Sequence, residues 1–382
     1  MKTIPSKLPN VGTTIFSVMS ALAKANNAVN LSQGFPDFNP DERLLLAAEK
    51  AMRKNLNQYA LMAGSISLRE KLAQKYESLY NVFIHPENEI TITAGGTQAI
   101  FTAVQAIVNA GDEVLMFAPC YDSYAPAVEL AAGKCVYYNL QPPKFEINWL
   151  EVAQLINEKT KLIILNTPHN PTGTCWSKND MLQLEKLMEG KNIFLLSDEV
   201  YEHIVFDSLQ HESVLLYPKL RERAFVISSF GKTYHCTGWK VGYCIAPKEL
   251  TAEFRKVHQF NVFSVNSIAQ AAFDTVLDYP ELYQSLSGFY EEKRNYFASA
   301  LQHTKFKCLP CAGTYFQVVD YSAISDLPEM EFAKWLTTEI GVAAIPVSVF
   351  YPDVKVENSL ARFCFAKQNS TLDTAAERLI SI

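Results

Sequence analysis

From about Ile90 onward, short apolar runs alternate with stretches whose apolar residues recur at helical spacing. The runs Ile90–Ala94, Glu113–Phe117, Lys134–Tyr138, Lys161–Leu165, Asn192–Leu196, Phe225–Ile227 and Val241–Ala246 have strand length. Lys161–Leu165 and Asn192–Leu196 are nearly continuous in apolar character, as expected of strands covered on both faces. Between the runs, Thr97–Asn109, Tyr124–Ala132, Trp149–Asn157 and Lys178–Met188 read as amphipathic helices. Repeated strand–helix–strand units predict an α/β fold: a large domain over 40–280 with a mainly parallel sheet sandwiched by helices. After Pro280 a charged helix, Tyr290–Leu301, precedes isolated strands at Thr314–Asp320 and Leu360–Phe365. Residues 281–382 are therefore expected to form a smaller α+β domain. Residues 1–39 show no obvious core and are expected to pack on the small domain and the interface. No internal repeat or low-complexity tract interrupts the chain.

Composition narrows the classes. The 382 residues are 48% hydrophobic and 19% charged, with a formal net charge of -6. That is enough for one large core and a smaller second one. Basic clusters are absent, so no nucleic-acid surface is expected. Met1–Pro9 lacks the apolar core of a signal peptide, and no apolar run is long enough to span a bilayer. The expectation is a cytoplasmic enzyme without membrane contact. The eight cysteines lie mostly in apolar stretches, as buried free thiols do. Cys308 and Cys311 form a lone pair without histidine neighbours, which argues against zinc or redox chemistry, and no metal site is expected.

The candidate chemistry sits where apolar runs end. Ser228-Ser229-Phe230-Gly231-Lys232-Thr233 follows the run Ala224–Ile227, and a second lysine, Lys240, comes eight residues after the first. Gly231-Lys232-Thr233 does not close a P-loop, because the required upstream glycine is Val226. Asn170-Pro171-Thr172-Gly173 and Ser197-Asp198-Glu199-Val200-Tyr201 each put polar groups after a buried run. Taken singly these are an ordinary turn, an N-cap and a surface lysine. In this order, each at a strand end where open α/β sheets bind ligands, they suit a phosphorylated aromatic aldehyde held on a lysine, which is pyridoxal 5'-phosphate.

Each residue then has an expected task. Lys232 would hold the aldehyde as a Schiff base and carry a proton once freed. Asp198 would face the pyridine nitrogen and favour its protonated form. Asn170 and Tyr201 would hydrogen-bond the phenolic oxygen, and Tyr121 would stack on the ring. Gly95-Gly96-Thr97-Gln98 opens a helix directly after a strand; the free N–H groups there suit the phosphate, with Ser229 and Lys240 completing the cup. Arg362, flanked by apolar residues, would pair with a substrate carboxylate.

Together these motifs make the chain similar to the fold-type I, class I pyridoxal-phosphate aminotransferases. It most resembles the group of kynurenine aminotransferase, glutamine transaminase K and bacterial methionine aminotransferase. The likeness runs through Leu31–Phe38, Asn57-Gln58-Tyr59, Asn166–Gly173, Ser197–Tyr201, Ser229–Gly242 and Ala361–Phe365. It implies the same roles for Asn170, Asp198, Tyr201, Lys232 and Arg362, and a phosphate contact for Lys240. It further implies a homodimer with shared sites, in which Tyr59 reaches the other subunit's phosphate, and places Gly34 near the substrate carboxylate. Where mammalian kynurenine enzymes have a pocket tryptophan this chain has Phe16, and their partner-donated histidine falls at Ser264. Both differences point from kynurenine toward methionine, whose thioether needs an apolar pocket; Phe16, Phe263 and the Phe35 loop offer such surface. No second arginine marks a site for a side-chain carboxylate.

The expected activity is transfer of an amino group from an apolar or aromatic L-amino acid to a 2-oxo acid. The alternatives are a β-lyase acting on cysteine conjugates or cystathionine, and a kynurenine–oxoglutarate transaminase. A nicotinamide dehydrogenase would need Gly-x-Gly-x-x-Gly after the first strand, which is absent. A ligand-sensing regulator would need a DNA-binding segment, for which there is no room before Pro36.

Overall fold

The computed structural model describes residues 4–352 and 358–382. The first three residues of the stretch read for a leader, and residues 353–357 of the expected small domain, lie outside these. Thirteen strands can be named among the described residues. In chain order they are β1 (Val29–Asn30), β2 (Ile90–Thr93), β3 (Glu113–Ala118), β4 (Lys134–Asn139), β5 (Thr160–Asn166), β6 (Phe194–Asp198) and β7 (Ala224–Ser229). They continue with β8 (Gly242–Ile245), β9 (Lys307–Cys308), β10 (Phe316–Asp320), β11 (Val342–Ala343), β12 (Ile345–Pro346) and β13 (Leu360–Cys364).

Seven strands form one sheet in the order β2-β8-β7-β6-β5-β3-β4. β3, β4, β5, β6 and β7 are parallel neighbours, while β8 runs antiparallel to both β2 and β7. The sheet is thus mainly parallel, with one reversed strand that the apolar pattern does not distinguish. Side chains alternate across it. Val114, Met116, Leu162, Ile164, Phe225 and Ile227 join one buried cluster with the helix Gly96–Ile107. Leu115, Phe117, Ile163, Leu165, Leu195 and Val226 join the other. Both faces are covered, which is why these strands read as unbroken apolar runs.

The sequence places several elements with little error. The helix predicted over Lys178–Met188 has those bounds, started by Ser177 and Asp180 in a capping box. The helix predicted as Trp149–Asn157 stops at Gln154, and the helix begun at Tyr290 starts earlier, at Leu286.

A second sheet, of four strands in the order β12-β13-β10-β9, is antiparallel throughout. The N-terminal segment is more structured than its pattern suggested. Thr14 caps a helix, Ile15–Ala25, and β1 pairs in parallel with β11. Met19 of that helix packs with Ala333, Ile345 and Phe350, around which Phe16 and Leu22 are half-buried. No described helix is long and apolar enough to cross a membrane.

One polar cluster is buried behind the central sheet. The Glu202 carboxylate accepts from Lys75 Nζ (2.9 Å), Ser228 Oγ (2.9 Å) and the phenols of Tyr76 (3.0 Å) and Tyr243 (3.1 Å). Four donors from three elements, the helix Ile66–Tyr80 and the strands β7 and β8, meet one carboxylate, which is how a buried charge is satisfied.

Candidate active site

The ends of β5, β6 and β7 and the strand β13 of the smaller sheet surround a cavity of about 200 Å³. Registration brings the first polar groups together: Asn166 on β5 sits opposite Asp198 on β6, and Asp198 opposite Ile227 on β7. Lys232 lies one turn beyond β7, in the short helix Phe230–Thr233. Lys232, Asp198, Tyr201, Asn170, Ser229 and Lys240 all line this cavity. So do Gly96, Thr97, Tyr121, Gly34, Phe16 and Arg362.

Gln98, Phe35 and Phe263 do not, and neither does Tyr59, whose expected place is the other subunit's site. The Gln98 side chain turns away: it accepts from the backbone N–H of Ala94 at 3.0 Å and donates to Thr102 Oγ1 at 2.6 Å and Asn261 Oδ1 at 3.1 Å. It braces its helix against the neighbouring one, and only its backbone belongs to the helix start. Tyr59 is 82% exposed and stands edge-on to Phe263, ring centroids 5.2 Å apart, remote from the cavity of its own chain. Phe263 and Phe35 are also outside the lining. The Phe35 ring lies instead beneath Lys367 Nζ at 4.7 Å. Phe316 and Ile100 supply apolar surface in their place.

The floor at one end is glycine. Gly95 has φ of 84°, and a Cβ there would come within 3.2 Å of Lys240 Nζ. A Cβ on Gly242 would strike the Ser228 carbonyl oxygen at 2.7 Å. These positions require glycine. They let the N-terminus of Gly96–Ile107, whose first N–H groups have no intrahelical acceptor, approach Lys240 and Ser229. The result is an anion cup of backbone donors, a hydroxyl and an ammonium.

The titrating groups are held in low-dielectric surroundings. Burial raises the Asp198 carboxyl to about 6, opposed by the Tyr124 phenol, which donates to its Oδ2 at 2.6 Å. The Val200 N–H approaches Oδ1 at 3.3 Å. Burial lowers Lys232 to about 8. Its Nζ donates to the Tyr315 phenol at 2.9 Å and to the Gly34 carbonyl at 3.3 Å. The Tyr201 ring lies 5.5 Å from the same nitrogen.

Arg362 is buried on β13 with 1% exposure. Nη1 donates to Asn170 Oδ1 at 2.6 Å and Nη2 to the Ser32 carbonyl at 3.2 Å, while Nε has no protein partner. Its guanidinium lies 3.9 Å above the Phe316 ring, with Phe350 at 5.1 Å and Phe16 at 5.6 Å. No carboxylate pairs with it among the described ion pairs, so an internal salt bridge does not account for it. Burial lowers its pKa to about 10, leaving it cationic at neutral pH.

Besides the apolar Phe316 and Ile100, three polar residues of the site were given no role from the sequence: Asn166, Tyr124 and Tyr315. Asn166 bridges the site's two loops, donating to the Asp198 carbonyl and accepting from the Asn170 N–H, both at 2.7 Å. It was findable as the polar residue closing an apolar strand. Tyr124 lies three residues after Tyr121, and their rings are 5.8 Å apart. Tyr315 carries no local signal, because 83 residues separate it from Lys232. Cys308 and Cys311 are free thiols; Cys311 Sγ is directed at the Phe316 carbonyl, 3.1 Å away. No group of metal-ligating side chains occurs among the described residues.

Comparison with known proteins places these groups in context. The family model for aminotransferase class I and II matches residues 26–379. Methionine aminotransferase of Escherichia coli (strain K12) is 53% identical, over 98% of this chain and 97% of that protein. Human kynurenine–oxoglutarate transaminase 1 is 34% identical, over 94% of this chain and 93% of that protein. The solved structure of Escherichia coli YbdL, whose reactivity identified a methionine aminotransferase function, superposes with a TM-score of 0.97 at 52% identity. That superposition covers 100% of both chains.

Proposed function

This chain belongs to the class I and II aminotransferases, and from that premise we propose that it moves the amino group of an apolar or aromatic L-amino acid, methionine foremost, to a 2-oxo acid with pyridoxal 5'-phosphate carried on Lys232. The residues present fit that cofactor. The glycine-floored cup at Gly95–Thr97, with Ser229 and Lys240, offers donors to a phosphate. The Asp198 carboxylate, buried and only partly satisfied, suits a protonated ring nitrogen, whose charge would offset the desolvation that raises its pKa. Asn170 and Tyr201 are donors for the phenolic oxygen, and Tyr121 is an aromatic face for the ring. When bound, the cofactor supplies the electron sink for the pair left by the substrate Cα–H bond.

The chain's own residues do the rest. Lys232, lowered to about 8, is a base of suitable strength near neutral pH to take a proton at the substrate Cα and return it. Tyr315 and the Gly34 carbonyl fix the position of its nitrogen. Tyr201 and Phe316 wall the site against water.

The observation that carries the substrate class is Arg362. It is a preformed guanidinium with an unpaired Nε, stacked on Phe316, and beside Lys232 and Lys240 it is the one cation among the described lining residues. One free clamp suits one carboxylate. The surrounding Phe16, Phe316 and Ile100 suit a thioether or an aromatic ring, and a side-chain carboxylate there would be buried unpaired. The 53% identity to methionine aminotransferase supports methionine over kynurenine. A homodimer is part of the proposal. The exposed Tyr59 borders a groove that includes Leu46, Leu56, Leu61 and Ile66, and a second copy seated there would carry Tyr59 toward its partner's phosphate end.

A panel of amino acids against several 2-oxo acids, with product analysis, tests this reading. Methionine should exceed aspartate in kcat/KM, with phenylalanine, tyrosine, histidine and glutamine among the accepted donors. Aspartate as best donor, or pyruvate and ammonia released from a cysteine conjugate or cystathionine faster than any transamination, would overturn it.

A further inference from the structure

Asp198 is a carboxylate in an unusually controlled position. It is 4% exposed, and its two oxygens offer about four acceptor sites. Two protein donors reach it: the Tyr124 phenol at 2.6 Å on Oδ2, and the more distant Val200 N–H at 3.3 Å on Oδ1. The other charged groups acting on it are Lys232, across the cavity, and Glu199, its neighbour in the chain. Tyr124 itself is 2% exposed and opens the helix Tyr124–Leu130. Its ring is held by Tyr121 and by the buried cluster of Ala127, Val128 and Met116. Burial raises its pKa well above the ordinary phenol value, so it stays protonated and can only donate toward the carboxylate.

We propose that Tyr124 is a positioning residue for Asp198: its hydroxyl holds the carboxylate in one orientation and biases it to the ionised form, so that the remaining acceptor sites face the cofactor ring. The proposal rests on the reading that Asp198 opposes the ring nitrogen. The physical argument is a comparison of two acceptors. A carboxylate with no rigid donor is free to rotate about its Cβ–Cγ bond, and it binds a proton more tightly than one that accepts a short hydrogen bond. Either change moves the shared proton away from the ring and weakens it as a sink. Tyr124 opposes both through one hydroxyl, on a ring that packing already fixes.

The test uses the holoenzyme loaded with cofactor labelled with nitrogen-15 at the ring. In Tyr124→Phe the aromatic packing is kept. Loss of one hydrogen bond to a charged group predicts that kcat with methionine falls by about 10- to 100-fold. KM for donor and acceptor should change by less than about twofold, since the contact acts on the ring and not on substrate binding. The ring nitrogen-15 resonance should move toward its unprotonated position. Tyr124→His, which keeps a ring with an N–H donor, should leave that resonance nearer the wild-type position. In an Asp198→Asn background, Tyr124→Phe should cause no further loss, because its effect passes through the carboxylate. An unmoved resonance with kcat within about twofold of wild type would overturn the proposal. So would a loss that persists undiminished in the Asp198→Asn background, or a Tyr124→Phe protein that does not fold while Tyr124→His moves the resonance fully. Near-normal turnover in Asp198→Asn alone would instead overturn the assignment of Asp198 to the ring nitrogen, which separates the two failures.

Discussion

Lys232 donates from Nζ to the phenol oxygen of Tyr315 over 2.9 Å, and that phenol in turn donates to the Gly34 carbonyl at 2.7 Å. The lysine just beyond the end of β7 is thereby referenced to the second sheet and to the N-terminal segment at once. Tyr315→Phe removes the reference point without opening a cavity. It should lower kcat by about tenfold and leave KM nearly unchanged, because proton transfer needs the amine in place whereas substrate binding does not. Single-turnover kinetics measures this, and a change confined to KM would refute it.

The depressed pKa of Lys232 makes a prediction for the cofactor-free protein. A basic group whose folded value, about 8, lies below its ordinary 10.5 stabilises the fold when neutral. That contribution is present above pH 10.5 and is lost as pH falls through about 8. Lys232→Met should therefore raise Tm at pH 7 relative to wild type, with the gain shrinking as pH approaches 10.5. Thermal melts of both proteins across this range decide it; a gain independent of pH would assign the effect to packing alone.

Arg362→Ala should weaken every amino donor alike, because it removes the one contact they share. Truncating a buried group that pairs with a ligand charge predicts a loss of about 100-fold or more in kcat/KM. Arg362→Lys should recover little of it, since an ammonium can neither bridge Asn170 and Ser32 nor lie flat on Phe316. The pattern is read from kcat/KM for methionine, phenylalanine and glutamine. Selective sparing of methionine would contradict it.

The proposed homodimer with shared sites predicts complementation. Neither Lys232→Ala nor Tyr59→Ala alone should support much activity, the second through weakened cofactor binding. Mixed and re-equilibrated, they should regain activity approaching about a quarter of wild type, since half of the dimers are mixed and each contains one complete site. Recovery absent from verified mixed dimers, or an active monomer in sedimentation, would count against the dimer.

Much of the central sheet was legible because both of its faces are buried, so its strands stand out as apolar runs bounded by polar strand ends. Asp198, Asn170 and Lys232 were readable for the same reason: each interrupts or follows such a run. The helix Ile15–Ala25 was not, because its buried face is only Met19 and Ala23 and its value lies in contacts with Ile345 and Phe350, more than three hundred residues away. The direction of the Gln98 side chain was not readable, because a polar residue at a helix start looks the same whether its side chain faces a ligand or the next helix. Phe316 and Ile100 were missed because an apolar residue in a pocket has the same local pattern as one in a core.

The Glu202 cluster behind the sheet separates what is rigid from what is free to vary. Glu202 follows Tyr201 in the chain, and Ser228, one of its donors, precedes Ser229, so the rear bolts together the segments that carry Asp198, Tyr201 and Lys232. Taking away one partner of so buried a charge costs about 3–5 kcal/mol, which leaves that frame little latitude for change. The apolar surfaces of the cavity, which the proposal assigns to the substrate side chain, are mounted elsewhere: Phe16 on the N-terminal helix, Phe316 on the smaller sheet, Ile100 on the helix opening at Gly96. Selectivity can therefore drift by repacking the removable front panels while the chassis that holds the reactive lysine stays put. In a directed-evolution experiment, new donor preferences should accumulate at these three side chains and leave Lys75, Glu202 and Tyr243 unaltered.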